Sequence, residues 1–152
     1  MNIQTGYPDD EHIRRVLTSV KTIAVYGASP NPMRASNSTL RFLVAAGYEV
    51  YPVNPGHDGS EIAGRRVYAR LRDIPVPIDM VDVFRRSEAL GGVVDEVLQM
   101  DPLPKVFWTQ LDIINPAATD RAAAAGIDLV IDRCPAIEYP RLIGRVPQPA
   151  TG

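Results

Sequence analysis

The chain has 152 residues, of which 45% are hydrophobic and 22% are charged, and its formal net charge is −2. This length allows one domain with a proper apolar core but not two comfortable ones. The small negative charge argues against a broad nucleic-acid surface, which usually carries a basic excess, and the lone cysteine, Cys134, excludes an internal disulfide and fits a reducing cytosol.

The N-terminal segment, the apolar runs and the soft metal ligands argue against a secreted protein, a membrane protein and a metalloprotein. The segment MNIQTGYPDDEHIRR is polar and acidic and lacks the apolar core of a signal peptide. No apolar run approaches the ~18 residues that a membrane helix needs. His12, His57 and Cys134 lie far apart, so a metal site is not expected. We therefore expect a soluble cytoplasmic protein that binds neither membranes nor nucleic acid.

Apolar periodicity predicts helices and strands in alternation along the chain. Five short apolar runs are predicted as strands, at Thr22–Tyr26, Glu49–Val53, Ile78–Phe84, Lys105–Trp108 and Asp128–Ile131. Helices are expected from Asp9 or Asp10 to about Val20, before Gly47, from Ser87, and from the Asn115–Pro116 pair to Gly126. Residues 54–69 are predicted as a loop, and Leu71–Ile74 as a short helix.

Strands that alternate with helices are typical of a sheet covered on both faces. We therefore predict an α/β fold, a Rossmann-like doubly wound sheet of about five parallel strands. One domain should span residues 1–152, with its core at about 13–142 and a loose tail from about Pro147. Pro52 lacks an N–H for the strand ladder, so the second strand should fray near its end.

A loop of small residues after the first strand is the most informative segment. Gly27 follows the strand, and Ser, Asn and Pro residues with Arg34 lead to Ser36, Asn37 and Ser38, which are good helix caps. A strand, a loop and a helix in this order point backbone N–H groups at one spot that suits a phosphate. The loop fits neither GxGxxG nor the Walker lysine pattern, so a purely structural turn remains an alternative.

Ligands of such sheets bind beyond the carboxyl ends of the strands. The residues after the second strand include no acid, whereas NAD sites usually have one there to hold the ribose hydroxyls. Four arginines at the predicted edge suit a ligand with several phosphates, although any one of them is a surface charge by default. They are Arg34, Arg85, Arg86 and Arg133.

Five motifs together resemble the small stand-alone CoA-binding proteins, a family related to the CoA-binding domain of the succinyl-CoA synthetase α subunit. The resemblance covers roughly residues 13–142, and its motifs are specific as a set. They are IAVYGASPNPMRAS, GYEVYPVNP, DMVDVFRRSE, WTQLDIIN and VIDRCPAIEYPRL. The resemblance implies a Rossmann-like domain that binds coenzyme A, with the diphosphate on the loop after the first strand.

The same resemblance implies a set of ligand-binding residues. The phosphate-loop candidates are Gly27, Ala28, Ser29, Asn31, Arg34 and Ser36; the next wall is Val53, Asn54 and Pro55; Phe84 and Arg85 close the site near the nucleotide, and Gln110 lies toward the pantetheine. Two positions depart from the family pattern. Ala35 stands where many relatives have Pro, and Asp112 stands where they often have Gly.

Two further residues have a structural and a functional interpretation. Cys134 follows a strand end, where it either packs or lies near the bound thiol, as a mixed-disulfide partner or a nucleophile. Asp82 interrupts the apolar third strand, and we expect it to hold a loop N–H rather than a ligand hydroxyl.

Three classes of function follow. The first is a module that binds coenzyme A or an acyl-CoA without catalysis of its own, with an unknown protein as a possible partner. The second is an enzyme, or a ligase accessory domain, that acts on acyl-CoA. The third is a NAD or flavin domain. The chain shows no convergent set of His, Cys and carboxylate residues and no acid after the second strand, so the sequence favours the first class.

Overall fold

The computed structural model describes residues 8–146, so the predicted tail from Pro147 lies outside the described part. Five parallel strands form one sheet, and two short antiparallel strands form a separate hairpin. The strands are β1 (Thr22–Tyr26), β2 (Glu49–Val53), β3 (Glu61–Ile62), β4 (Arg65–Arg66), β5 (Met80–Val83), β6 (Val106–Thr109) and β7 (Asp128–Val130). The predicted parallel α/β sheet is therefore confirmed.

Helices cover both faces of this sheet. They are α1 (Asp10–Ser19), α2 (Ala35–Ala45), α3 (Leu90–Val97), α4 (Pro116–Ala124) and α5 (Pro135–Leu142). Apolar side chains of α1 and α2 pack on one face together with residues of α5, whereas α3 and α4 pack on the other. In the described part, no helix is both long enough and apolar enough to span a membrane.

The strand order places a crevice beside β1. In the sheet the order is β2-β1-β5-β6-β7, so the chain leaves β1 toward one side for β2 and then crosses to the other side for β5. The loops after β1 and β5 therefore diverge at the carboxyl ends of these strands. Doubly wound sheets bind their ligands at this switch point.

Several predicted boundaries are correct and others are not. The bounds of β1 and β2 match the prediction, as do the Asp9 cap of α1 and the Asn115 cap of α4. Pro52 does not fray β2, because its neighbours and Val53 stay in register with β1. The predicted loop at residues 54–69 contains the β3–β4 hairpin, and the sequence interpretation did not assign α5, which has Pro residues at its start and inside it.

A very close contact between two loops fixes the crevice. Gly27 has φ +87°, and a Cβ atom built there would lie 2.6 Å from the carbonyl oxygen of Phe84. The loop after β1 can approach the end of β5 this closely only because residue 27 is glycine.

We expect Gly27→Ala to lower the free energy of unfolding by about 3 kcal/mol or more, because it combines a left-handed backbone with a backbone clash. Gly47→Ala is the matched control: φ is +99° there, but nothing lies within 4 Å of the added Cβ. Its expected cost is about 1 kcal/mol. Urea unfolding of both variants measures the difference, and equal losses would show that the contact with Phe84 is unimportant.

Candidate functional site

A polar cleft of about 400 Å³ opens at the switch point. Its lining comes from the loops after β1, β2 and β5 and from the first turn of α2. The lining residues are Gly27, Ser29, Arg34, Ala35, Ser36, Asn54, His57, Phe84 and Arg85. Seven of the predicted ligand-binding residues are therefore brought together; Ala35 and His57 join them, and no lining residue carries a carboxylate.

The start of the β1 loop is pinned by its backbone and does not offer free donors. The N–H groups of Gly27 and Ala28 both donate to the carbonyl oxygen of Val53, at 2.8 and 3.2 Å. Ala28 is fully buried and lies behind the cleft. Its backbone N–H is therefore not available to a ligand in this conformation.

The middle of the loop is held by its own side chains. The Ser36 hydroxyl accepts from the N–H of Ser29 at 3.1 Å, and the Ser29 hydroxyl accepts from the N–H of Asn31 at 3.1 Å. Asn31 in turn accepts from Met33 through its side-chain oxygen. Asn31 is exposed and lies outside the cleft lining, so these bonds shape the loop around the cleft.

The N-terminus of α2 opens onto the cleft without a cap. Arg34 occupies the N-cap position and makes no capping side-chain bond. The backbone N–H groups of Ala35 and Ser36 donate to no acceptor within residues 8–146. Ser36 was expected among the caps, but its hydroxyl turns back to Ser29 instead. Two free donors and the positive end of the helix dipole therefore face the cleft.

Two of the four predicted arginines line the cleft. Arg34 is exposed beside the free N–H groups, and the Arg85 guanidinium lies over the Tyr26 ring, 5.6 Å from its centroid. Arg86 lies outside the lining, and Arg133 donates to the carbonyl oxygen of Asp132. Of the four arginines, Arg34 and Arg85 are therefore the two that line the cleft.

The residues that follow β2 link the loop after β1 to the loop after β2. Asn54 donates to the carbonyl oxygen of Ala28 at 2.8 Å and accepts from the N–H of Gly56 at 3.0 Å. Val53 is fully buried, and Pro55 lies outside the lining. His57 was not predicted as a site residue, but it lines the cleft because the short helical turn at Pro55–His57 brings it there.

Asp82 and Gln110 form a buried pair, and neither residue belongs to the cleft lining. Gln110 donates from its side-chain nitrogen to Asp82 Oδ1 at 2.8 Å, so the predicted bond to a loop N–H is wrong. Asp82 is fully buried, and its Oδ2 has no partner in the described part. Burial raises the pKa of Asp82 to about 7, against a smaller lowering by the Gln110 bond.

Cys134 also lies outside the cleft lining. It is half-buried at the N-cap of α5, and its Sγ is 3.9 Å from the Thr39 hydroxyl. Trp108 is fully buried. Within residues 8–146 no group of three or more His, Cys, Asp or Glu side chains could hold a metal ion.

Comparisons with known proteins converge on one family. The family described as "CoA binding domain" matches residues 21–140. An uncharacterised protein of Bacillus subtilis is 39% identical over 127 residues, which cover 84% of this chain and 91% of that protein. The structure of a hypothetical protein from Pyrococcus horikoshii superimposes with a TM-score of 0.84 at 39% identity, covering 90% of this chain and 94% of that one.

A larger relative carries a named activity. The alpha subunit of an ADP-forming acetate–CoA ligase from Pyrococcus furiosus is 33% identical over 84 residues. The match covers 53% of this chain but 18% of that subunit. The chain thus corresponds to a small part of the subunit.

The raised pKa of Asp82 predicts a stability that falls as pH rises. Between about pH 4 and pH 7 the folded protein keeps a proton that the unfolded chain releases, so this contribution is lost as pH rises through the folded pKa. Asp82→Asn removes the titration. The free energy of unfolding of the wild type, relative to Asp82→Asn, should fall by at most about 4 kcal/mol from pH 4 to pH 8.

Asp79→Asn is the control, since Asp79 lies just before the same strand and its pKa shifts the other way. Burial raises the pKa of Asp79, but N–H bonds from Lys21 and Thr22 and the Lys105 ammonium outweigh it. Its contribution is present above the unfolded pKa and is lost as pH falls through the folded pKa. A pH-independent difference between wild type and Asp82→Asn would contradict the buried titration.

Proposed function

The chain belongs to the CoA-binding domain family, and we propose that it binds coenzyme A, free or as an acyl-CoA, in the cleft at the carboxyl edge of the sheet. In this proposal the diphosphate lies at the N-terminus of α2, and the whole chain forms one cytoplasmic domain. The observation that carries it is the pair of unpaired N–H groups at Ala35 and Ser36, beside the Arg34 side chain.

The charges of the cleft suit a ligand with several phosphates. Arg34 and Arg85 line opposite sides of the switch point, one on the β1 loop and one after β5, and His57 lines the third loop. Since none of the lining residues is acidic, no fixed negative charge opposes a phosphate there. Arginine matches phosphate oxygens with two parallel hydrogen bonds.

The end of β2 favours coenzyme A over NAD. The residues at that position are Val53, Asn54 and Pro55, and the side chain of Asn54 already bonds to Ala28 and Gly56. A NAD site of this fold usually has an acid there for the ribose hydroxyls. The cleft therefore lacks the acid that usually holds the ribose hydroxyls of NAD.

We further propose that binding, and not catalysis, is the role of this chain. The thiol of Cys134 lies outside the cleft lining, and its hydrogen-bond partner in the described part of the chain is the Thr39 hydroxyl. A hydroxyl is a poor base for activating a thiol. An unknown protein is then the proposed user of the bound coenzyme.

A second candidate is an accessory role to an enzyme that acts on acyl-CoA. The match to one part of an acetate–CoA ligase alpha subunit favours it. In that role the domain would deliver the coenzyme to a separate catalytic chain.

Calorimetric titration of the purified protein with CoA, acetyl-CoA, NAD and FAD tests the proposal. We expect CoA to bind well below millimolar concentration and NAD to bind far more weakly, because the phosphate site is present and the ribose acid is absent. Tight binding of NAD without binding of CoA would contradict the proposed function.

The phosphate contact is tested by Arg34→Ala. We expect CoA affinity to fall by about tenfold or more, since one charge-assisted hydrogen bond is lost, while binding of pantetheine, which has no phosphate, should not change. Arg121→Ala is the control with the same change of charge, because Arg121 lies on α4 and pairs with Asp95. Equal losses for CoA and pantetheine would show that Arg34 does not contact phosphate.

A further inference from the structure

Burial of the Asp82 side chain lowers the stability of the fold, and the few contacts of this side chain do little to offset the loss. Its side chain is fully buried, Oδ2 has no partner in the described part of the chain, and Oδ1 accepts a single bond, from Gln110. Burying a carboxyl group with one hydrogen bond is unfavourable, and an apolar side chain of the same shape would avoid that cost. The pair therefore calls for an explanation outside stability.

The position of the pair connects it to the cleft. Side chains alternate along a strand, so Asp82 and Phe84 point to the same face of the sheet, and Phe84 lines the cleft. Val83 is in register with Thr109, which brings Gln110, one residue further, alongside Phe84. Gln110 is thus the neighbour of a cleft residue on the side away from β1.

The two ends of the Gln110 amide have different surroundings. Its nitrogen donates to Asp82, whereas its carbonyl oxygen accepts from none of residues 8–146. In the described part, Asp82 Oδ2 is the one buried side-chain N or O atom without a partner. The Gln110 oxygen also lacks a partner, so it is not buried and reaches solvent. Above its raised pKa the Asp82 carboxylate can only accept hydrogen bonds, so it then selects the orientation in which the oxygen of the amide faces outward.

We propose that Asp82 is a positioning residue that holds the Gln110 amide with its carbonyl oxygen facing the ligand, where it accepts a hydrogen bond from a secondary amide N–H. The inference rests on the proposed function, because the arm of coenzyme A beyond the diphosphate carries such amide groups. A free phosphate or a bare nucleotide offers no such donor there. Asp82 and Gln110 thereby favour ligands that have the arm.

The test is made at pH 8, above the raised pKa of Asp82, and compares CoA with adenosine 3′,5′-bisphosphate, which keeps phosphates but lacks the arm. Asp82→Leu removes the acceptor for the Gln110 nitrogen, and we expect it to weaken CoA about tenfold while the bisphosphate stays within about twofold. Asp82→Asn offers both a donor and an acceptor and no longer selects one orientation, so its CoA affinity should lie in between. A purely structural role would change both ligands alike.

Gln110→Leu keeps the test valid if Asp82→Leu does not fold. It should give the same selective loss of CoA affinity, and Asp82→Leu with Gln110→Leu should lose no more than either alone, because the two residues act as one unit. Independent, additive losses would overturn the proposal. Thermal unfolding of each variant confirms that a folded protein is being titrated.

A ligand-free measurement separates this inference from the proposed function. In NMR spectra of the wild type, we expect the Gln110 side-chain amide protons to be protected from exchange, and Asp82→Leu should remove this protection. If wild type does not bind CoA, the proposed function fails and the inference fails with it. If CoA binds but Asp82→Leu weakens both ligands equally or neither, the inference alone is overturned.

Discussion

The carbonyl oxygen of Val53 determines the geometry of the carboxyl edge. It accepts from the backbone N–H groups of both Gly27 and Ala28, so the end of β2 holds the chain that leaves β1. Gly27 then lies so close to the end of β5 that a Cβ atom built on it would be 2.6 Å from the carbonyl oxygen of Phe84. With the loop pinned at its start and closed by its own hydroxyls, the first turn of α2 arrives at the cleft with unpaired N–H groups. Such preorganisation lowers the cost of ordering a binding site when the ligand arrives.

The polar groups of this edge divide into those that build it and those that remain free. Asn54 and the Ser29 hydroxyl are used within the protein, and so are the first N–H groups of the β1 loop. Near α2 the groups that remain free are arginine side chains and backbone N–H donors. At Gln110 the free group is an acceptor, the carbonyl oxygen of the side-chain amide. A ligand with an anionic end and an amide-bearing end matches this division, in agreement with the family to which the chain belongs.

Sequence reasoning succeeded where local chemistry decides the structure. The β-branched runs of β1 and β2 and the cap-then-proline order at Asn115 fixed those elements, and the five family motifs identified the family. It failed where contacts between residues far apart in the chain decide the local structure. Pro140 lies inside α5, and this helix contacts distant parts of the chain: Tyr139 packs edge-on against Phe42 and Tyr48, and Arg141 pairs with Asp10. Local signals likewise could not show that Asp82 meets Gln110, 28 residues away in the chain.

The position of Pro52 has a consequence for how the protein avoids its own copies. β2 is an outer strand of the sheet, and such strands present rows of unpaired backbone groups that can recruit a strand from another molecule. Pro52 has no N–H to offer, and its carbonyl oxygen already accepts from the N–H of Tyr68. At the opposite edge, β7 has three residues. One border is thus blocked by proline and a folded-back segment and the other is short, which discourages edge-to-edge aggregation and leaves the carboxyl edge free for its ligand.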